Sequence, residues 1–170
     1  MKILILLLSF LIVISTFAQP DVLEYRTISI KGITYQSSSA DLISVFGKPV
    51  ERYDANYECG GYEKSQPGIE TTELYKYPGF EVLLVNDTVT FELISFADLA
   101  EQFAVKSKQI DLSSNTTIEE LKIAFPNSYE TWRKSNSSVF RLWPCSYCDA
   151  EIQLTIIEGR IETIEFWSPC

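Results

Sequence analysis

The 170-residue chain has no histidine. That absence excludes every chemistry that needs an imidazole: a Ser-His-Asp triad, a Cys-His pair, and His-ligated zinc or haem. Basic residues are scarce, 14 Lys and Arg against 23 Asp and Glu, for a formal charge of −9. A polyanion groove needs clustered Lys and Arg, so no nucleic-acid partner is expected. Gly and Pro number only seven each and 46% of residues are hydrophobic, which excludes collagen-like and disordered classes. Beyond the N-terminus no apolar run approaches the ~20 residues that span a bilayer as a helix.

The N-terminus itself reads as an export signal. Lys2 supplies a positive charge, Ile3 to Ile14 is apolar except for Ser9, and small Thr16 and Ala18 precede a cut before Gln19. The run of about 12 residues is too short for a membrane span. No Cys follows it, so a lipid anchor is not indicated. The expected signal peptide is 1–18. The mature chain then has 170 − 18 = 152 residues, and losing Lys2 takes its charge to −10. A secreted or periplasmic location follows.

The mature chain reads as one motif written twice. Ser38 before Asp41 caps a helix in which Leu42, Val45 and Phe46 share a face; Gly47 and Pro49 end it. Thr117 before Glu120 caps a second helix with Leu121 and Phe125 on one face and Pro126 as its stop. A shift of 117 − 38 = 79 superimposes Ser38 on Thr117, Asp41 on Glu120, Leu42 on Leu121 and Phe46 on Phe125, and Ile33 on Leu112 upstream. Strand signals follow each helix: 72–77, 80–85 and 88–94 in the first half, and 139–143, 152–157 and 160–167 in the second. Asn86-Asp87 and Glu158-Gly159 are the hairpin turns. Opposite parity of Ile161 and Ile164 predicts a bulge in the last strand. Residues 97–108 read as a connector with some helical character. The expected fold is α+β, with two tandem units, each a short helix packed on an antiparallel β-sheet, over 19–98 and 99–170.

The stretch GITYQSSSADLISVFGKP, followed by strands, resembles the repeat unit of small bacterial envelope proteins. These are the SmpA/OmlA-type outer-membrane assembly lipoproteins and the tandem-repeat beta-lactamase-inhibitory protein fold. In both, a hydroxyl-capped helix ends in a Gly-x-Pro turn and packs on an antiparallel sheet. The resemblance covers about residues 28–95 and, more weakly, 108–168. The chain departs from it by lacking the lipidation cysteine and by carrying Phe125-Pro126 in the second repeat. It implies the fold and an envelope-associated class; it transfers no functional residue.

Cys59, Cys145, Cys148 and Cys170 form an even set, which in an exported chain reads as two disulfides. If Ile157 pairs with Arg160, paired positions sum to 317 and Cys148 faces Pro169; the bulge moves Cys148 opposite Cys170. The expected pairs are therefore Cys148–Cys170 and Cys59–Cys145. The competing reading is redox, because Cys145-Ser146-Tyr147-Cys148 is a C-x-x-C. Against it, Cys148 runs through Asp149 into a strand rather than opening a helix that would lower a thiol pKa. A four-Cys zinc site lacks paired spacing at Cys59 and Cys170, so no metal or cofactor is expected.

Tyr53, Tyr57, Tyr62, Tyr75 and Tyr77 crowd one stretch around Cys59-Gly60-Gly61, and tyrosine suits a surface that is apolar at one end and wet at the other. They are the candidate binding residues; the simpler reading makes Tyr75 and Tyr77 strand residues on one face. No carboxylate pair stands out as catalytic. Asn86-Asp87-Thr88, Asn115-Thr116-Thr117 and Asn136-Ser137-Ser138 match the N-glycosylation pattern, and Asp87-Thr88-Val89 a bacterial O-glycosylation one. The resulting expectation is a non-enzymatic module binding a protein partner or envelope component. Thiol–disulfide exchange through Cys145 and Cys148 is the alternative, and carboxylate or tyrosine chemistry between the repeats comes third.

Overall fold

The computed structural model describes residues 21–55, 67–99 and 104–169. The elements run β1 (Ser29–Ile30), β2 (Ile33–Thr34), α1 (Ser39–Phe46), β3 (Glu51–Asp54), β4 (Thr72–Tyr77), β5 (Phe80–Val85), β6 (Thr88–Ser95) and β7 (Val105–Lys106). There follow α2 (Ile118–Ala124), α3 (Pro126–Ser135), β8 (Val139–Leu142), β9 (Glu151–Ile157) and β10 (Arg160–Trp167). The chain is mixed α+β. Seven strands form one antiparallel sheet in the order β3-β4-β5-β6-β10-β9-β8, and β2-β1-β7 form a small second sheet. No helix among the described residues is long and apolar enough to cross a membrane.

The turns select the large sheet's register. Asn86 and Asp87 (φ 49° and 67°) and Glu158 and Gly159 (φ 51° and 78°) are left-handed at both central positions, as a two-residue type I′ hairpin requires. Ile157 pairs with Arg160, and the register slips by one between Ile161 and Thr163, the expected bulge. Gly79 turns β4 into β5 at φ 86°. A Cβ there would stand 2.6 Å from the backbone of Leu99, so only glycine fits.

Both short helices begin with a capping box. The Asp41 amide donates to Ser38 Oγ (3.2 Å) and the Ser38 amide to Asp41 Oδ2 (2.9 Å). The Glu120 amide donates to Thr117 Oγ1 (3.3 Å) and the Thr117 amide to Glu120 Oε2 (2.8 Å). These bonds satisfy amides that a helix start leaves free. The amide and hydroxyl donors hold both carboxyls below their ordinary pKa. Leu42 and Leu121 are fully buried, each worth about 1.5–3 kcal/mol relative to exposure. They pack with Tyr75, Tyr77, Phe91, Leu154 and Ile164 in the main core. A small cluster of Ala55, Leu74 and Leu83 forms separately.

Three local expectations need correction. Val45 is 40% exposed rather than packed beside Leu42, because the stripe that faces the sheet is narrow. Pro126 does not simply stop α2; it starts α3, where its missing amide costs nothing. The short strands β1, β2, β3 and β7 fall in stretches without strand periodicity. In the connector, residues 97–99 form a turn and 105–106 a strand, while 100–103 lie outside the described residues.

Candidate functional site: a cleft in the fork between β6 and β10

The two central strands pair over only three positions, Leu93 to Ser95 against Thr163 to Glu165. Glu92 is skipped in the β5–β6 register, a bulge that bends β6 away. Beyond Leu93 and Glu165 the strands part, and a cleft of about 500 Å³ opens in the fork. That volume lies in the range of small-ligand sites. Thr90 and Glu92 line one side; Phe166, Trp167 and Ser168 line the other.

The N-terminal arm forms a third wall. Trp143 donates its amide to Asp21 O (3.0 Å), Leu23 to Trp143 O (2.9 Å) and Tyr25 to Pro144 O (3.1 Å), so the arm runs alongside the end of β8. Asp21 also caps α3 from 107 residues away: the Ser128 amide donates to its Oδ2 (2.9 Å). Phe125, the residue preceding α3, has no side chain that can cap it. Leu23 is buried, which seats the arm. Tyr25 then reaches into the fork. Its hydroxyl accepts the Phe91 amide at 2.7 Å, a bond that strand pairing would otherwise supply. Its ring meets Tyr35 (5.4 Å) and Phe166 (5.0 Å) edge-on, the favoured aromatic geometry.

The fourth wall is the turn from β8 to β9, and it carries the cysteines. Cys145 and Cys148 are bonded to each other, with Cα atoms 5.3 Å apart. The expected partners Cys170 and Cys59 lie outside the described residues, and the pairing expected for Cys145 and Cys148 is corrected. The β9–β10 ladder ends at Glu151 opposite Trp167, so Cys148 never reaches the register that would face residue 170. It bends back, and its amide donates to Cys145 O at 3.4 Å. A bridge across four residues removes little denatured-chain entropy, about 2 kcal/mol. Its effect is therefore mainly local. Both sulfur-bearing residues line the cleft, while Tyr147 at the tip is 100% exposed.

Charge around the cleft is mixed. Glu24, Glu92, Glu151 and Arg26 line it, and Glu151 is paired with Arg141 and accepts from Gln153 (2.9 Å). Among the described residues no group of three or more Cys, Asp or Glu is arranged to hold a metal ion.

The tyrosines singled out from sequence are not brought together at this site. Tyr53 lies on the edge strand β3, exposed, with Lys76 Nζ 5.8 Å from its ring centre. Tyr75 and Tyr77 are core residues. Tyr77 stacks on Phe80 (4.9 Å) and donates to Gly47 O (3.2 Å); burial, with Tyr75 nearby, pushes its phenol up to about 12. Tyr57 and Tyr62 lie outside the described residues. The aromatic residues of the cleft are instead Tyr25, Tyr35, Phe166 and Trp167, scattered at both ends of the sequence. Of these, only the placement of Phe166 and Trp167 at the end of the last strand had a sequence signal. The chain matches no protein-family model, no curated protein and no solved structure.

Proposed function

We propose that this is an exported, non-enzymatic binding module of the cell envelope, built as two tandem α+β units that share one sheet, with the fork cleft as its ligand site. The observation that carries this reading is the cleft itself. It opens where the two halves meet and is walled by aromatic residues on three different chain segments. Aromatic walls beside a few polar groups are the usual make-up of a binding site.

The tandem arrangement is supported by a hydrogen-bond pattern that recurs at the shift of 79. Thr34 donates its amide to Ser37 Oγ (3.0 Å), and Ser113 donates to Thr116 Oγ1 (2.9 Å). The two cap residues also bridge the strand that follows a hairpin turn, Ser38 to Thr88 and Thr117 to Arg160, although those strand partners are 160 − 88 = 72 residues apart. Export is supported by the N-terminal apolar run and by a disulfide, which persists in oxidising compartments.

A photo-reactive phenylalanine analogue at Trp167, with a control at Lys134, which does not line the cleft, tests the binding reading in the source cells. A discrete adduct from Trp167 only, competed away by the unmodified protein, supports it. Identical adduct patterns from both positions, or none from either, would remove it. N-terminal sequencing tests export: Gln19 as the first residue is expected, and a chain retaining Met1 inside the cell refutes it.

A second reading is favoured by the Cys145–Cys148 bond alone: an extracytoplasmic thiol–disulfide protein. It requires that the reduced pair contain a thiol titrating well below the free value of about 8.5. Alkylation rates of the reduced protein against pH decide it. A rate still rising through pH 8 leaves the pair without an activated thiol and ends this reading.

A further inference from the structure

We propose that the Cys145–Cys148 bond is a reducible latch on the fork cleft, opened by a vicinal dithiol reductant. The proposal rests on the binding-site reading and adds a means of control to that site. Three bonds link the disulfide to the cleft. The residues immediately before Cys145 hold the N-terminal arm: Trp143 through both its amide and its carbonyl, and Pro144 through the carbonyl that accepts from Tyr25. The arm carries Tyr25, which closes the fork by accepting the Phe91 amide. The bond fixes the path of the turn from residue 145 to 148 and thereby the direction in which those carbonyls point.

The bond is also placed for attack. Cys145 and Cys148 are half-buried and both line the open cleft, and thiol–disulfide exchange needs access to a sulfur. The step balances as follows. One thiolate of the reductant attacks a sulfur of the pair, breaks the bond between them and forms a mixed disulfide. The second thiol of the reductant displaces that sulfur and closes the reductant's own disulfide. Two electrons and two protons end on Cys145 and Cys148 as thiols. Because the bridge spans only four residues, its loss leaves the rest of the sheet folded. The response is confined to the turn, the arm and the Tyr25 contact.

Amide hydrogen exchange on the full mature chain tests this, comparing the oxidised protein with C145S/C148S, which keeps Cys59 and Cys170. A second sample is the wild type treated with dithiothreitol. The expected result is exchange at least tenfold faster at Leu23, Tyr25 and Phe91, with the Leu42 and Leu121 amides unchanged. Unchanged rates at Leu23, Tyr25 and Phe91 overturn the latch, as does a uniform acceleration through both helices, which makes the bond a general staple. The Trp167 photo-adduct is measured on the same two proteins. An adduct of equal yield in both overturns control of binding while the site reading stands. An adduct absent from both proteins removes the site reading, and with it the latch as a control on binding, even where exchange is locally faster.

Discussion

Replacing Tyr25 by phenylalanine removes one oxygen and leaves the ring. The edge-on contacts with Tyr35 and Phe166 persist, so no cavity is created. What is lost is the acceptor for the Phe91 amide, now bonded at 2.7 Å in a part-buried setting. The net value of such a bond is about 0.5–1.5 kcal/mol, and an amide stranded without a partner costs about 1–3 kcal/mol. Phe91 is itself fully buried, but the bond is only part-buried, which offsets part of the penalty. A destabilisation of about 1–2 kcal/mol is therefore expected. In a domain of this size that lowers Tm by roughly 3–6 °C. Urea unfolding should give a lower midpoint with an unchanged slope, because the surface exposed on unfolding hardly changes. The Phe91 amide should exchange faster than in the wild type by more than the global loss explains. Tyr53→Phe, an exposed edge-strand control, should stay within about 0.5 kcal/mol. A Tyr25→Phe loss below about 0.3 kcal/mol, with Phe91 exchange unchanged, would refute the claim that this hydroxyl closes the fork in place of strand pairing.

Three further expectations follow from the same geometry. Ser38→Ala and Thr117→Ala should each cost about 1 kcal/mol by urea denaturation, and the two should add because they cap different helices. Asp41 and Glu120 have folded pKa values below their ordinary 3.8 and 4.5, so their contribution is complete above those values and is lost as pH falls through the folded ones. Carboxyl NMR titration should find both raised in the corresponding alanine variants, and unmoved values would contradict the capping boxes. Gly79→Ala should cost about 2–3 kcal/mol, from a Cβ driven against Leu99 at a positive φ. Gly32→Ala, with a similar φ of 84° but open space, should cost only about 1 kcal/mol; equal losses would mean that the Leu99 contact yields. Leu42→Ala and Leu121→Ala should each cost about 2–5 kcal/mol, since both side chains are fully buried, and a loss below 1 kcal/mol in thermal unfolding would place them outside the core.

Local rules alone account for the hairpins and the caps. A type I′ turn depends on two residues that tolerate positive φ, so Asn86-Asp87 and Glu158-Gly159 were legible as turns without any knowledge of what surrounds them. A capping box is closed within four residues, and Ser38–Asp41 and Thr117–Glu120 form as their spacing dictates. The bulge before Thr163 was legible because a one-residue slip is the simplest way to turn both Ile161 and Ile164 inward. The α+β class followed from those elements.

The site was not legible, and the reason is distance along the chain. Asp21 caps a helix 107 residues away, and Tyr25 completes a bond to Phe91, 66 residues away. No periodicity carries either fact. Tyr75 and Tyr77 read from sequence either as binding residues or as strand residues on one face, and only packing decides that this face is the core. The cysteine pairing turned on where the β9–β10 ladder stops, which depends on how far the two strands stay in register against their neighbours. Sequence determined the hairpin turns, the two capping boxes and six of the strands, because those depend on residues within a few positions of one another. Tertiary structure decided where the central strands part, which side chains wall the gap and which sulfur meets Cys148, because each depends on the relative placement of segments that only packing brings together.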